Sequence, residues 1–433
     1  MPEIDLGYGE SSVAFDYDDS QYTVLTPDST TEIPLRDEQI GNALDSPIDS
    51  PPLDEIVSGN DSVLIVVSDA TRATGSSQIV NILVRRLIQY GVSPSSIAII
   101  FATGIHRPVT PEERIDLLSP FVAQRIRTLD HDAYNPASLI NVGVTAGDDA
   151  VEVNRSLRDF SRVIMIGGVR FHYFAGFTGG RKSICPGLGS AATIQASHML
   201  ALDFEVGGRR AGVGTGRLDG NAVHEACERV AAMIEPAFGV NTIVNEKGRV
   251  VGIFCGHWRS SHRAACDYYL NNHSVQIPER RKLVIASCGG SPYDINLIQA
   301  HKALDMAAYA CDEGGSIILL ADCRDGLGRP DFLKWFDEID SRSLENRLRN
   351  GYEVNGQTAW ALLAKAERYR IFLISQLDDA DVRRMRMIPA RNLSEVIDDI
   401  SGVTPGYIMP HGAAALPRLG PELIYLRQRS MQQ

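Results

Sequence analysis

Short apolar runs bounded by polar or glycine-containing segments recur along the chain. Ser62–Val67 (SVLIVV) is a continuous apolar run of strand length, and Ile97–Phe101 is a second one. Between them, Ser77–Tyr90 carries its apolar residues at helical spacing. A strand, a helix and a strand in this order predict a βαβ unit, in which the two strands are parallel.

The same alternation continues towards the C-terminus. Four further apolar runs predict buried strands: Val163–Ile166, Lys282–Ala286, Ser316–Leu320 and Arg370–Ser375. Strands that alternate with helical segments are typical of α/β proteins with parallel sheets. The pattern therefore predicts two α/β domains with mostly parallel sheets, and we expect the active site in the cleft between them.

The domain boundary is predicted in the polar segment near His273–Arg281. Residues 1–275 are interpreted as an N-terminal α/β domain that carries the chemistry-bearing loops, and residues 282–404 as a C-terminal α/β domain. The segment 405–433 is too short to be a domain, and we expect it to pack back on the N-terminal domain.

Composition narrows the class of protein. The chain has 433 residues, a net charge of -12, and seven cysteines that form no C-x-x-C pair. No apolar run approaches the roughly 20 residues of a membrane helix, and MPEIDLGYGE lacks the features of a secretory signal. The acidic balance argues against nucleic acid as a partner. We therefore expect a cytoplasmic enzyme that binds neither membrane nor nucleic acid.

One loop concentrates the candidate chemistry. His172–Pro186 (HYFAGFTGGRKSICP) follows the predicted strand Val163–Ile166, and it contains a glycine pair, Gly179 and Gly180, just before Lys182. Ligands bind open α/β sheets at the carboxyl ends of the strands. Glycines allow a close approach of the backbone to a ligand, and a lysine supplies a cation or an amine nucleophile.

A phosphate-binding loop is the first alternative for this segment. That motif, G-x-x-x-x-G-K-[ST], requires a glycine directly before the lysine, and the chain has Arg181 there. The small-residue tract also runs on through Pro186–Gly189 instead of entering a helix at once. Both observations argue against a phosphate-binding loop. A nucleotide-dependent kinase or ligase nevertheless stays open as an alternative.

Other polar residues follow strands in the same way. Asp69 and Arg72 come after the first predicted strand, and His106 comes after the second. Gln299 and Lys302 lie on a predicted helix that follows Lys282–Ala286. Basic and polar residues at several strand ends indicate a pocket for a small anionic ligand.

Three histidines, His106, His172 and His198, lie in or near the glycine-containing loops. Histidine both takes and gives a proton near neutral pH, and it binds metals. None of the histidines has H-x-x-x-H or H-E-x-x-H spacing, which argues against a conventional zinc site. A metal in this chain would have one protein ligand and would need a cofactor to supply the rest.

Five motifs together resemble the nickel-dependent lactate racemase family. They are SDATR (68–72), TGIHRP (103–108), HYFAGFTGGRKSICPG (172–187), SH (197–198) and GGSPYDINLIQAHK (289–302), and they span most of the chain in the family's order. Family members are two-domain α/β proteins that hold a nickel pincer nucleotide, a pyridinium mononucleotide with sulfur-bearing substituents. The resemblance implies the same cofactor for this chain.

The resemblance also implies roles for single residues of the cofactor site. Lys182 would be the covalent attachment point, with Gly179 and Gly180 beside the cofactor, and His198 would be the nickel ligand. His106 and His172 would be the two acid/base catalysts.

A second set would bind the substrate. Arg72 and Lys302 would hold its carboxylate with Gln299 beside them, and Asp69 would position Arg72 or a catalytic histidine. Trp360 is similar to a tryptophan that lines the family's site, although core packing explains a buried tryptophan equally well.

The implied reaction is the racemisation or epimerisation of a 2-hydroxy acid. A histidine removes the hydroxyl proton while hydride moves to the cofactor, and the flat 2-keto acid then takes hydride back on its other face. Each enantiomer presents its hydroxyl to a different side, so two histidines are needed. Partners would be the substrate and, transiently, the proteins that make the cofactor; the sequence does not predict an oligomeric state.

One position departs from the lactate enzyme. Ile298 stands where that enzyme has a tyrosine, just before the site glutamine. Either the pocket accepts a larger, more apolar 2-hydroxy acid, or Ile298 merely packs and lactate is the substrate. A non-catalytic member that binds a nucleotide or a hydroxy acid also stays open.

Overall fold

A computed structural model describes residues 1–27, 33–70, 72–400 and 405–420. These residues form two compact units. The N-terminal unit comprises the described residues between 31 and 201, together with residues 209–270. The C-terminal unit comprises the described residues from 271 onwards, together with those before residue 31 and the segment 202–208. No helix in the described part of the chain combines the length and the apolar character needed to cross a bilayer.

The strands and helices follow in chain order. The strands are β1 (Glu3–Tyr8), β2 (Ser11–Asp16), β3 (Tyr22–Val24), β4 (Val63–Ser68), β5 (Ile97–Ala102), β6 (Arg127–Leu129), β7 (Leu139–Val144), β8 (Ala150–Asn154), β9 (Arg162–Gly168), β10 (Phe171–His172), β11 (Gly176–Phe177), β12 (Phe238–Val244), β13 (Val250–Gly256), β14 (Ser274–Ile277), β15 (Arg281–Ser287), β16 (Cys311–Leu320), β17 (Arg370–Ile374), β18 (Ile388–Ala390), β19 (Gly406–Met409) and β20 (Leu416–Leu419). The α-helices are α1 (Asp37–Asp45), α2 (Leu53–Ile56), α3 (Ser76–Gln89), α4 (Pro111–Arg125), α5 (Ser156–Asp159), α6 (Ala191–Met199), α7 (Ala222–Ile234), α8 (Trp258–His273), α9 (Leu297–Ala310), α10 (Ser341–Asn350), α11 (Val354–Ala366), α12 (Asp379–Arg384) and α13 (Leu393–Asp399).

The main sheet of the N-terminal unit has the strand order β13-β12-β9-β4-β5-β6. All neighbours are parallel except β13, which is antiparallel to β12. From β4 the chain builds outwards through α3, β5, α4 and β6, and it later returns to place β9 on the other side of β4. The order of the strands therefore reverses between β4 and β9, which is where open α/β sheets bind ligands.

Successive side chains of β4 point to opposite faces of the sheet, and both faces are covered by apolar clusters. Val63, Ile65 and Val67 pack in one apolar cluster, which includes the buried residues of α3. Leu64 and Val66 belong to a second cluster on the opposite face. Such a strand reads as a continuous apolar run, which is why the sequence pattern predicts it correctly.

The C-terminal unit contains a parallel sheet of order β18-β17-β16-β15-β19-β3. The strand order reverses between β15 and β19, and helix α9 follows β15 in the chain. The predicted strands 282–286, 316–320 and 370–375 are confirmed as β15, the second half of β16, and β17. The prediction of α/β units with mostly parallel sheets is confirmed.

Both chain ends differ from the predicted domain division. The sequence pattern assigned residues 1–26 to the N-terminal domain and expected the tail after Pro405 to pack on it. In the structure, β3 pairs with β19 in the sheet of the C-terminal unit, and β20 pairs with β14. These strands complete the hydrogen bonds of that unit's sheets. The assignment is therefore wrong for the described part of both ends, while residues 401–404 and 421–433 lie outside the described residues.

The predicted linker near His273–Arg281 is also not a free connection. Helix α8 runs to His273, and Ser274–Ile277 forms β14 directly after it. The boundary between the units falls at residues 270 and 271, a few residues before the predicted position. Pairing of β14 with β20 satisfies the backbone groups that a linker would leave to water.

Candidate active site

The carboxyl ends of three adjacent strands carry the candidate chemistry of the N-terminal unit. Asp69 follows β4, His106 lies four residues after β5, and His172 ends the short strand β10, which comes shortly after β9. Strands β5, β4 and β9 are neighbours, so these loops emerge at one edge of the sheet. The sequence predicts a ligand site at the carboxyl ends of the strands, and this edge also includes the β4/β9 switch point.

Asp69 and His106 form a hydrogen-bonded pair. The Asp69 Oδ2 atom lies 2.9 Å from Nδ1 of His106. Asp69 is only 5% exposed, whereas His106 is exposed. An ionised carboxylate only accepts hydrogen bonds, so Nδ1 of His106 carries the proton and Nε2 carries the lone pair. The sequence predicted that Asp69 would position either Arg72 or a histidine, and the geometry connects it to His106.

The loop after β9 gathers three of the predicted residues around one aromatic ring. The ring of Phe174 lies 4.4 Å from the His172 ring and 5.1 Å from the His198 ring, measured between centroids. The Lys182 Nζ atom lies 5.5 Å from the Phe174 centroid. Phe174 itself is buried. Residues 172, 182 and 198 are thus neighbours in space, although they are distant in sequence and only the fold brings them together.

The His172 ring is oriented by its own loop. The backbone N–H of Ala175 donates to Nδ1 of His172 over 3.2 Å. A nitrogen that accepts carries the lone pair, so a neutral His172 bears its proton on Nε2. The hydrogen bonds therefore select opposite tautomers for His106 and His172.

Gly179 and Gly180 both adopt positive φ, +76° and +50°. A Cβ on Gly180 would lie 2.4 Å from Cγ of His262, so no side chain fits there without movement. The Gly180 N–H donates to Oδ1 of Asn241 over 3.1 Å. Next to them, Gly180–Ser183 forms one turn of 3₁₀-helix that presents Lys182.

A phosphate-binding loop would lead directly into a helix at the lysine. In this chain, helix α6 begins only at Ala191, nine residues after Lys182, and Arg181 occupies the position of the motif's second glycine. The local structure gives no support to the kinase or ligase alternative.

Electrostatics favour a neutral amine at Lys182. Burial lowers the pKa of Lys182 well below its usual value, and the charge of Arg72 acts in the same direction. The side chain is only partly accessible to water. Arg72 itself is exposed, its backbone N–H donates to the carbonyl of Asp69, and Thr71 between them lies outside the described residues. A neutral lysine is a nucleophile, which suits the predicted role of Lys182 as an attachment point.

His198 lies on α6, which begins after the N-cap residue Ser190. Its Nδ1 lies 2.8 Å from the carbonyl oxygen of Ile194, so Nδ1 carries the proton and Nε2 the lone pair. Burial lowers the pKa of His198 to about 3. A neutral imidazole held through its other nitrogen is the form that binds metals. Among the described residues, no group of three or more His, Cys, Asp or Glu side chains could hold a metal ion.

The other predicted residues belong to the C-terminal unit. Asn296 caps α9 by accepting the N–H of Gln299 over 3.0 Å, and the Lys302 Nζ atom donates to Oε1 of Gln299 over 2.5 Å. Ile298, on the first turn of the same helix, is half-buried. The structure thus brings Gln299 and Lys302 together on one helix.

Trp360, on α11, is 6% exposed and donates from Nε1 to Oε1 of Glu345 over 2.9 Å. The same carboxylate oxygen accepts the N–H of Gly208 over 2.8 Å. Glu345 also forms an ion pair with Arg342. The hydrogen bond of Trp360 is what a buried tryptophan requires in a core, and its role in the site stays a prediction.

Two residues of this region were not predicted from the sequence. Phe174 stands inside the motif that contains His172 and Lys182, and an aromatic residue between two chemistry-bearing residues was the available signal. Arg181 is 1% exposed, and its guanidinium donates to the carbonyls of Ala175 and Gly179. A surface arginine and a buried one look alike in sequence, so only the fold reveals its place.

Comparisons with known proteins agree with the fold and the motifs. Residues 8–207 match the lactate racemase N-terminal domain, and residues 278–404 match the lactate racemase C-terminal domain. A lactate racemase of Lactiplantibacillus plantarum is 30% identical over 92% of this chain and 94% of that protein. A lactate racemase of Thermoanaerobacterium thermosaccharolyticum is 28% identical over the same shares.

Solved structures give the same result. The lactate racemase apoprotein of Thermoanaerobacterium thermosaccharolyticum superposes with a TM-score of 0.88 at 25% identity, covering 96% of this chain and all of that one. A Thermotoga maritima protein shares the fold with a TM-score of 0.65 at 20% identity, covering 89% of this chain and 99% of that one. The two domain matches together span most of the sequence, and the chain therefore belongs to the lactate racemase family of enzymes.

Proposed function

We propose that this enzyme racemises or epimerises a 2-hydroxy acid with a nickel pincer nucleotide as cofactor. The observation that carries the proposal is the grouping of His172, Lys182 and His198 around the ring of Phe174. Lys182 supplies an amine nucleophile, His198 a neutral imidazole and His172 a proton-transfer group. All three lie beside the apolar face of the Phe174 ring.

The donor set fits a cofactor that is attached through an amine and completes its metal coordination with one histidine. Burial favours the neutral form of Lys182, and the bond from Nδ1 to Ile194 leaves the lone pair of His198 on Nε2. Gly179 and Gly180 give the loop a backbone without side chains at its tightest point. When bound, the nickel pincer nucleotide would supply the acceptor and donor of hydride. Lys182 would hold it covalently and His198 would bind its metal.

The tautomers of the two histidines suit a reaction that needs one base and one acid. His106, with its lone pair on Nε2, accepts the hydroxyl proton of one enantiomer, and Asp69 stabilises the imidazolium that results. His172, with a proton on Nε2, donates to the alkoxide when the other enantiomer forms. Conversion in the opposite direction exchanges the two roles.

The carboxylate of a 2-hydroxy acid is negatively charged, and we expect cationic side chains to bind it. Arg72 offers a planar fork that grips a carboxylate through two parallel hydrogen bonds. Lys302 and Gln299 are proposed to assist, and the position of the site between the two domains stays a prediction. Ile298 replaces a tyrosine of the lactate enzyme, and this change is compatible with lactate or with a larger, more apolar 2-hydroxy acid.

The test is co-expression with the cofactor-making enzymes and nickel, followed by chiral chromatography of single-enantiomer 2-hydroxy acids. We expect conversion of either enantiomer to a mixture, and loss of that conversion in His106→Ala/His172→Ala and in Lys182→Ala. Full turnover in either variant, with the cofactor loaded in the wild-type chain, contradicts the proposal. Saturable ATP binding that requires Lys182 but not nickel would instead indicate the kinase or ligase. Binding without exchange of the C2 hydrogen would indicate a non-catalytic member.

A further inference from the structure

The turn between β10 and β11 carries His172 at its base and Phe174 near its tip. The two strands pair so that His172 lies opposite Gly176, and residues 173–175 form the turn. Within it, the N–H of Ala175 donates to Nδ1 of His172 over 3.2 Å. The orientation of the His172 ring therefore depends on where the backbone of this turn lies.

The side chain of Asn221, which precedes α7, is bonded to this turn. Asn221 is 0% exposed. Its Nδ2 atom donates to the carbonyl of Phe174 over 2.9 Å and to that of Arg217 over 3.1 Å. Its Oδ1 atom accepts the N–H groups of Val223 and His224 on the first turn of α7. The amide thus uses both of its donors and both of its lone pairs.

Capping of α7 explains only half of these bonds. An N-cap residue needs an oxygen that accepts backbone N–H groups, and serine or threonine supplies one as well as asparagine does. Asn392 is an exposed cap of that simpler kind, whose Oδ1 accepts the N–H of Glu395 at the start of α13. The donors on Nδ2 of Asn221 take no part in capping, and they hold two loop carbonyls instead.

The next two carbonyls of the turn also accept hydrogen bonds from outside it. Arg181 is 1% exposed, and its Nη2 atom donates to the carbonyl of Ala175 over 2.7 Å. The N–H of Gly216 donates to the carbonyl of Gly176 over 3.1 Å. These bonds, together with the bond from Asn221 to Phe174, form what we call the turn clamp.

Gly176 shows how closely the segment 216–221 lies against the turn. It adopts a φ of +77°, and a Cβ there would lie 2.0 Å from the carbonyl oxygen of Arg217. Phe174 belongs to the same apolar cluster as Val223 of α7. A shift of this segment would therefore move the backbone of the turn, and the Phe174 ring with it.

We propose that Asn221, together with Arg181, is a positioning residue for proton transfer: the turn clamp fixes the carbonyls of the β10–β11 turn, and the turn aims the His172 ring. Asn221 acts through the turn rather than on the substrate. The inference rests on the proposed function only for the acid/base role of His172. The clamp itself is a property of the chain without cofactor, so it can be measured separately.

Asn221→Ser separates the clamp from the cap, because serine keeps a capping oxygen and lacks the amide donors. Hydrogen exchange with mass spectrometry, on the full chain without cofactor, compares the peptides that cover residues 172–180 and 221–230. We expect the amides of the turn to exchange roughly tenfold faster in the variant, because the turn loses hydrogen bonds that hold it closed. The amides of the first turn of α7 should keep their wild-type rate. Asn392→Ser is the matched control, and it should change neither peptide.

Steady-state kinetics of the cofactor-loaded enzyme tests the catalytic part. We expect Asn221→Ser to lower kcat about tenfold with KM changed less than about twofold, because a misaimed His172 impairs proton transfer more than substrate binding. Asn392→Ser should retain the wild-type kcat and KM.

Wild-type exchange of the turn in Asn221→Ser overturns the proposal, and so does faster exchange with an unchanged kcat. Equal acceleration of both peptides overturns it as well, since Asn221 would then be a cap alone. If Asn221→Ser does not fold, Asn221→Thr takes its place, because threonine also caps without amide donors. Absence of racemisation by the loaded wild-type enzyme would reject the proposed function, whereas the exchange measurement decides the clamp independently.

Discussion

The pair formed by Asp69 and His106 illustrates how a single buried carboxylate sets the chemistry of an exposed imidazole. Asp69 is held at the end of β4, where little of it reaches water, and it accepts the Nδ1 proton of His106. The carboxylate both selects the tautomer and stabilises the charge that His106 acquires when it takes a proton. Removing the charge without changing the shape should therefore impair turnover more than binding.

We expect Asp69→Asn to lower kcat at least about tenfold with little change in KM, because an amide neither stabilises the imidazolium nor enforces the tautomer. Steady-state kinetics of the cofactor-loaded enzyme measures the effect. Asp45→Asn is the matched control, since Asp45 is exposed and pairs with Arg86 instead of with a histidine. Equal kcat in Asp69→Asn and wild type would show that Asp69 has no part in proton transfer.

At the scale of elements, the 172–183 loop owes its shape to glycines and to one arginine. Gly180 adopts a positive φ in a place where a Cβ would collide with His262, and Arg181 ties the loop's carbonyls together. Gly248 has a positive φ too, but a Cβ there would meet nothing within 4 Å. Alanine substitutions at Gly180 and Gly248 therefore separate two losses in the free energy of unfolding, one from backbone conformation and one from a steric clash.

Gly180→Ala should lower the free energy of unfolding by about 2 to 4 kcal/mol, since it adds a clash to the strained backbone. Gly248→Ala should cost only about 1 kcal/mol, because it carries the backbone strain alone. Urea denaturation of both variants measures the difference. Equal losses in the two variants would contradict the close packing of Gly180 against His262.

At the scale of the whole molecule, several histidines are buried in the neutral form, which links stability to pH. Burial, with Arg181 and Arg263 acting in the same direction, lowers the pKa of His224 to about 3, and burial lowers that of His301 to about 4. In the unfolded chain these groups bind a proton near pH 6.5. The unfolded state therefore takes up more protons as the pH falls below 6.5, and stability decreases towards the folded pKa values.

We expect His224 to account for roughly 2 kcal/mol of the stability that is lost between pH 7.5 and pH 5. His224→Gln should remove that part of the pH dependence, whatever its effect on stability at neutral pH. Urea unfolding at the two pH values measures it, with His257→Gln as a control at a partly exposed histidine. An identical pH dependence in His224→Gln and wild type would mean that His224 is not buried neutral.

Sequence patterns predict those parts of this protein that depend on neighbours along the chain. The apolar runs of β4, β5 and β9 identify buried strands because both faces of the parallel sheet are covered. The motifs that follow these strands identify Asp69, His106 and Lys182 as candidates, because polar loops at strand ends carry ligand sites in this class of fold.

The tertiary structure decided what depends on contacts between distant segments. Pairing of β3 with β19 joins residues nearly 400 positions apart and moves the first strands into the C-terminal unit, which no local pattern encodes. In the same way, Phe174 becomes a shared neighbour of His172, Lys182 and His198 only when the loop and α6 have packed. Local propensity and periodicity determined the elements and the candidate residues. Strand pairing and the burial of charge determined which of these elements and residues are neighbours in space and which side chains are protonated.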